Sequence, residues 1–236
     1  MSKNVSDAPL RPSEVPVSQR VYEQIRESII SLEWKPGTKL SEKDVASEIG
    51  VSKTPVREAF IRLSEEGLIE IRPKSGSYVS EISFEKVYEC LMLRRAIEMA
   101  VAAEAANRRT TLDLVNLQQL VERQVEAAGA GDGVAFFELD RDFHQALANI
   151  AAMPSAIRLV HMVRGAVSRV QRLRISRGEN RHLQVIEEHR AIVAAMESRD
   201  ASAASAAMDA HLNCVEMFAK IIRSPEVQEH VTPKAS

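Results

Sequence analysis

Two residues four apart, Asp140 and His144 in "FELDRDFHQAL", offer a carboxylate and an imidazole from one stretch of helix. At that spacing the side chains are neighbours, with Cβ atoms about 6 Å apart, close enough to grip one ion. At about 100° per residue, Asp140 falls inside the apolar arc of Phe136, Phe143 and Leu147, with His144 at its margin. Asp142 points the other way, with Glu138 and Gln145, and reads as solvated surface. An inward carboxylate needs a partner, because burying it unpaired is very costly. His189 in "LQVIEEHRAIVAAM" falls among Val185, Ile186, Val193 and Met196, and His211 in "AAMDAHLNCVEMFAKII" falls with Met208, Leu212, Val215 and Phe218. One carboxylate and three imidazoles make a donor set suited to a divalent transition metal. A single inward histidine is ordinarily a hydrogen-bonded core residue. The weight lies in the coincidence: three of six histidines turn inward on separate helices, one with a carboxylate beside it. His182 also phases inward but near a helix start, His161 sits at the edge of its arc, and His230 lies in the tail.

Cations accompany this set. Arg94 falls at the centre of the arc of Val87, Leu91, Val101 and Ala105, with Glu98 one turn on. Two readings stand side by side: an internal Arg94–Glu98 ion pair, or a guanidinium ready to fork a carboxylate ligand. Arg164 phases inward near Ile157 and Val160. Arg95 reads as exposed or at a domain interface.

The elements that must carry these residues are helical. Helices are expected at 84–107, 111–128, 134–150, 155–175, 181–198 and 201–223, separated by breaks such as "GAGDG" and "SRGEN". Aromatic residues are only 4% of the chain, and alanine is abundant in its second half, which suits packed helices. The two cysteines lie far apart, so neither a disulfide framework nor a zinc knuckle is expected, and the compartment reads as reducing. No apolar run is long enough to span a membrane, and the first 16 residues lack an apolar signal core; the expected location is the cytoplasm.

Ahead of this bundle the texture differs. A helix from Val17 to about Leu32, a Pro-Gly turn, two short helices joined by "IGVS" and a hairpin around "PKSG" make a winged helix-turn-helix. Val56, Ala59, Phe60 and Leu63 share the packing face of the second short helix. Lys53, Thr54 and Arg57 lie at its start, where a recognition helix needs donors for base edges and phosphates. Net charge is −2, and residues 18–82 carry 10 basic and 11 acidic side chains, so any DNA-binding surface must be local. Winged helices that bind protein share this geometry. The expected division is a flexible arm 1–16, a winged helix-turn-helix domain 17–82, an all-helical domain 83–223 and a tail 224–236.

The stretch "LSEKDVASEIGVSKTPVREAFIRLSEEGLIEIRPKSGSYV" resembles the DNA-binding domain of GntR-type bacterial transcriptional regulators. The resemblance implies DNA contacts from Lys43, Ser52, Lys53, Thr54 and Arg57, with Gly76 at the wing tip. Where this chain has Lys53 the family often has arginine, and lysine lacks the bidentate fork. "LRRAIE", "LDRDFHQAL" and "EEHRAIVAAMESRDASAASAAMDAHL", in that order, are similar to the FCD effector domain of the FadR-like branch. That resemblance implies a divalent metal on Asp140, His144, His189 and His211, with zinc foremost and nickel or manganese as alternatives. It also implies a small organic acid completing the coordination, with Arg94 beside it. Before proline, where the family usually has Gly-Asn, this chain has "AAMP".

The expectation is a homodimeric regulator, a repressor, whose affinity for operator DNA is set by a small carboxylate at a metal site, with Arg94, Glu98 and Arg164 as effector contacts. The helix from Phe84 is the expected lever, and loss of the ion is expected to loosen the bundle. The alternatives are a sensor of the metal itself and, from another class, a metalloenzyme.

Overall fold

The computed structural model describes residues 16–176 and 181–213. Helix α1 (Val17–Ile30) is followed by β1 (Lys39–Leu40), α2 (Glu42–Ile49), α3 (Lys53–Glu65), β2 (Ile69–Arg72) and β3 (Gly76–Val79). Six helices complete the described chain: α4 (Phe84–Arg108), α5 (Thr111–Gly129), α6 (Gly133–Ile150), α7 (Pro154–Ser176), α8 (His182–Glu197) and α9 (Ala201–Leu212). The expected continuation of the last helix, with Cys214, Val215 and Phe218, and the tail with His230 lie outside the described residues.

The first unit is a winged helix-turn-helix. Ser41 caps α2 by accepting a hydrogen bond from the Asp44 amide (3.3 Å), and Gly50 ends it at φ 77°, a left-handed turn that suits glycine. Ser52 stands at the start of α3, but its side chain makes no capping bond. The wing is a three-stranded antiparallel sheet in the order β1-β3-β2, one strand more than the expected hairpin. Strand β1 is only two residues long and pairs Lys39 with Tyr78 and Leu40 with Ser77. Tyr22, Ile25, Ile29, Val56, Phe60 and Leu63 form the core beneath.

The second unit is a helical bundle; four of its helices start on capping residues, while α8 starts on Arg181 without a side-chain cap. Ser83 caps α4, Thr110 and Asp113 form a reciprocal capping box at α5, and Asp132 and Asp200 cap α6 and α9. The long α4 packs on α9, α7 and α6, and α5 on α6 and α8. At the "AAMP" loop, α6 ends in a Schellman motif: the Met153 amide reaches the Ala148 carbonyl (3.1 Å) and the Ala152 amide the Asn149 carbonyl (3.0 Å). Ala152 supplies the left-handed residue at φ 54°, a position that favours glycine.

The two units meet chiefly along α7. Arg26 of α1 donates to the His161 carbonyl (3.2 Å), Arg172 pairs with Glu27 (3.0 Å), and Arg169 donates to the Ser80 carbonyl (2.6 Å). Burial pushes the Arg169 guanidinium down to about 10, against the opposing pull of Glu81. Gly165 faces Leu68 so closely that an added Cβ would lie 3.0 Å from a leucine methyl. Ile82, Val87, Cys90 and Leu91 pack on Val167 and Val170, joining the start of α4 to the same helix.

Candidate metal and effector site

Asp140 and His144 on α6, His189 on α8 and His211 on α9 are all buried, and one ligating atom from each lies within 4.8 Å of the others. Their surroundings explain the orientation. Phe143, between the two α6 residues, is fully buried and stacks on the His189 ring at 4.0 Å between centroids. Burying such a ring contributes about 1.5–3 kcal/mol and fixes the imidazole against it.

Each histidine points its Nε2 inward, and two of the three hydrogen-bond an acceptor through Nδ1. His189 Nδ1 meets Gln124 Oε1 on α5 (2.8 Å), and His211 Nδ1 meets Glu188 Oε2 (2.9 Å). His144 Nδ1 lies against Glu98 Oε2 as a close ion-pair contact, without hydrogen-bond alignment. Acceptors at Nδ1 place the ring proton there and leave the Nε2 lone pair to face the centre. Within, His144 Nε2 and His211 Nε2 are 3.2 Å apart. His189 Nε2 has no hydrogen-bond partner and stands 3.7 Å from Asp140 Oδ1, which is 3.8 Å from His144 Nε2. Asp140 divides its work: Oδ2 accepts from Arg164, and Oδ1 faces the imidazoles.

The electrostatics agree with that division. Burial alone would raise Asp140, but Arg164, His144 and His189 outweigh it and hold the carboxyl far below the usual carboxylate range. Glu98 behaves likewise under Arg94 and His144. Burial lowers His144 and His189 below the ordinary imidazole range, with Glu98 opposing at His144 and His211 adding to the effect at His189. Neutral imidazoles and an ionised carboxylate are the forms that ligate a metal. Lone pairs converging in a dry site also call for a cation between them, so the residues present fit a divalent ion.

Arg94 makes the internal ion pair. It pairs with Glu98 through Nε, and its Nη2 lies 3.1 Å from His144 Nε2. Arg95 is half-buried and pairs with Asp209 of α9, Nη2 to Oδ2 at 2.9 Å. His182 is buried outside the four-residue set and stacks on Phe136 at 4.1 Å. Gln124 and Glu188 do not figure in the sequence-based site. Gln124 alone carried a signal, a polar residue on the buried face of α5 with Leu117, Val121 and Ala127.

A cavity of about 110 Å³ adjoins the set, with Glu98, His144 and Arg164 in its lining. Arg94 is not among the lining residues. The lining also includes Arg26, Glu27 and Ile30 of α1, and His161.

On the winged unit, Lys43, Ser52, Lys53, Thr54, Arg57 and Gly76 are all exposed. Ser52, Lys53, Thr54 and Arg57 cluster around the start of α3, and Lys43 lies in the first turn of α2. Arg72 stacks on Tyr78 (4.5 Å) and stiffens the wing beside Gly76.

Comparison with known proteins agrees with this architecture. Residues 17–79 match the family model "Bacterial regulatory proteins, gntR family", and residues 89–213 match the FCD domain. The chain is 38% identical to the HTH-type transcriptional repressor RspR of Escherichia coli (strain K12) over 214 residues, 91% of this chain and 93% of that protein. It is 29% identical to the Uxu operon regulator of Haemophilus influenzae over 90% of this chain and 83% of that one. In solved structures, E. coli McbR/YncC shares the fold at a TM-score of 0.77 and 22% identity, over 88% of this chain and 99% of that one. A putative regulator from Rhodococcus sp. RHA1 does so at 0.69 and 24%, over 87% and 97%.

Proposed function

The chain belongs to the gntR family of bacterial regulatory proteins, carries an FCD domain, and is a DNA-binding transcriptional regulator rather than an enzyme; from this premise we propose that it is a repressor whose operator affinity is set by a small organic acid bound beside a divalent metal. The observation that carries the reading is the convergence of three Nε2 atoms and Asp140 Oδ1, with Nδ1 of each ring directed to Glu98, Gln124 or Glu188.

Asp140, His144, His189 and His211 would hold the ion, zinc in the first instance. When bound, the metal supplies positive charge and open coordination for a carboxylate. The chain's own residues do the rest. Gln124 and Glu188 would fix the tautomers of His189 and His211, Glu98 lies against His144, and Arg164 holds Asp140 in place. Arg94, Glu98 and Arg164 are the candidate contacts for the acid. Two copies of the chain would place their α3 helices in successive major grooves, about 34–36 Å apart on a pseudo-palindromic operator. Lys43, Ser52, Lys53, Thr54 and Arg57 would contact it there, with Gly76 at the wing tip. An acid that binds the DNA-competent and incompetent arrangements unequally shifts affinity, and a coupling of about 1–3 kcal/mol gives about a 5- to 150-fold change.

The test is a thermal-shift screen of small carboxylates on the zinc-loaded chain, with Asp140→Ala and Arg94→Ala as controls. An acid that raises the Tm of the wild type and of neither variant supports the reading. If no acid shifts the wild type, or an acid that does leaves operator affinity unchanged, the reading is wrong.

A further inference from the structure

The lining of the cavity belongs partly to the DNA-binding domain. Arg26, Glu27 and Ile30 of α1 line it together with Arg164 and Arg172 of α7. Both α7 arginines have donor capacity to spare. Arg164 gives Nη2 to Asp140, and Arg172 gives Nη2 to Glu27 at 3.0 Å, yet Nε of each is buried without a hydrogen-bond partner. Both guanidinium groups lie over the ring of Phe137, their central carbons 5.5 and 4.9 Å from its centroid. The two cations thus share one aromatic neighbour and one cavity.

A guanidinium offers Nε–H and Nη–H together as a fork for a carboxylate, and an unused buried N–H is costly to leave unpaired. Glu27 uses one tooth of the Arg172 fork. Its side chain is 61% exposed while that of Arg172 is 15% exposed, and an ion pair so open to water on one side is weakly held. A ligand carboxylate inside the cavity would be dehydrated and better placed to use the whole fork.

We propose that Arg172 is a second anion-binding point of this pocket, that the effector is an acid with two carboxylates, and that its distal carboxylate displaces Glu27 from Arg172. The inference rests on the reading of the cavity as the effector site. It gives the acid a direct route to the winged helix. The Glu27–Arg172 pair is one of the ties holding α1 on α7, and the ligand exchanges that tie for one of its own. The coupling runs across the domain interface rather than only along the start of α4.

The experiment is titration calorimetry on the full-length, zinc-loaded chain, with succinate, glutarate and adipate as probes and butyrate as the single-carboxylate control. At least one diacid is expected to bind about tenfold or more tightly than butyrate. Arg172→Ala should remove that preference, and Arg172→Lys should restore part of it. Glu27→Ala, at an exposed position, should strengthen diacid binding several-fold and widen the preference for diacid over butyrate, an effect that mere structural damage would not give. Equal binding of diacid and monoacid by the wild type, a preference that survives Arg172→Ala, or no gain in Glu27→Ala would overturn the proposal. If no probe binds the wild type, the assignment of the cavity as an acid site falls first, and this inference with it.

Discussion

At the residue scale, the informative atoms are the outer nitrogens of the histidines. The four candidate ligands were legible because helical periodicity alone places Asp140, His144, His189 and His211 on buried faces. Their supports were not, since nothing in the spacing of Glu188 or Gln124 says which ring they meet across the bundle. Glu188 sits about a quarter-turn from His189 on α8 and reaches His211 instead. These acceptors are expected to matter almost as much as the ligands. Gln124→Ala and Glu188→Gln should each lower zinc affinity by about 10- to 100-fold, read by competition with a chromophoric chelator. Unchanged affinity in both would show that the rings are oriented by packing alone, through contacts such as Phe143 on His189.

At the scale of elements, α7 joins α4 as a link between the two units. The sequence points to α4 because it follows the wing and carries Arg94. Helix α7 nevertheless touches Asp140 through Arg164, the cavity through Arg172, and the winged unit through Arg169, Arg172 and Gly165. Local signals gave the helices, because caps and breaks are local chemistry. They could not give β1, whose two residues are a strand only through pairing with β3. Nor could they show that Gly165 is a contact rather than a weak point in a helix. Leu68 opposite it is fully buried and has little room to yield. Gly165→Ala should therefore lower stability by about 1–3 kcal/mol, measured by thermal or denaturant unfolding. Hydrogen exchange should rise at the α7 contact with Leu68 while the metal cluster stays protected.

For the whole molecule, sequence indicated two units and their order, and left their mutual placement open. Contacts such as Glu27 with Arg172 join residues far apart in the chain, and no periodicity encodes them. The ion should stabilise this assembly by mass action. Zinc at a thousandfold excess over its dissociation constant is worth about 4 kcal/mol, so chelation should lower the Tm of the loaded chain measurably. A Tm unmoved by chelation would mean that no ion is held by the folded chain. Arg164 on Asp140, and Arg94 with Glu98 and His144, keep the buried acids paired, so chelation should loosen the bundle without unfolding it outright.

The wall that α1 contributes to the cavity bears on how freely such regulators can be recombined. Exchanging residues 17–79 for the winged helix of a relative is a natural way to redirect a sensor to new promoters, and it treats the halves as independent cassettes. Here the exchange would also replace Arg26, Glu27 and Ile30, three residues that line the cavity. Such a chimera should keep its zinc affinity and change its acid affinity or selectivity, which calorimetry on both proteins would measure. The sensor's chemistry would then be inherited from both parents, and a library built on whole-domain swaps would have to carry α1 along with α7.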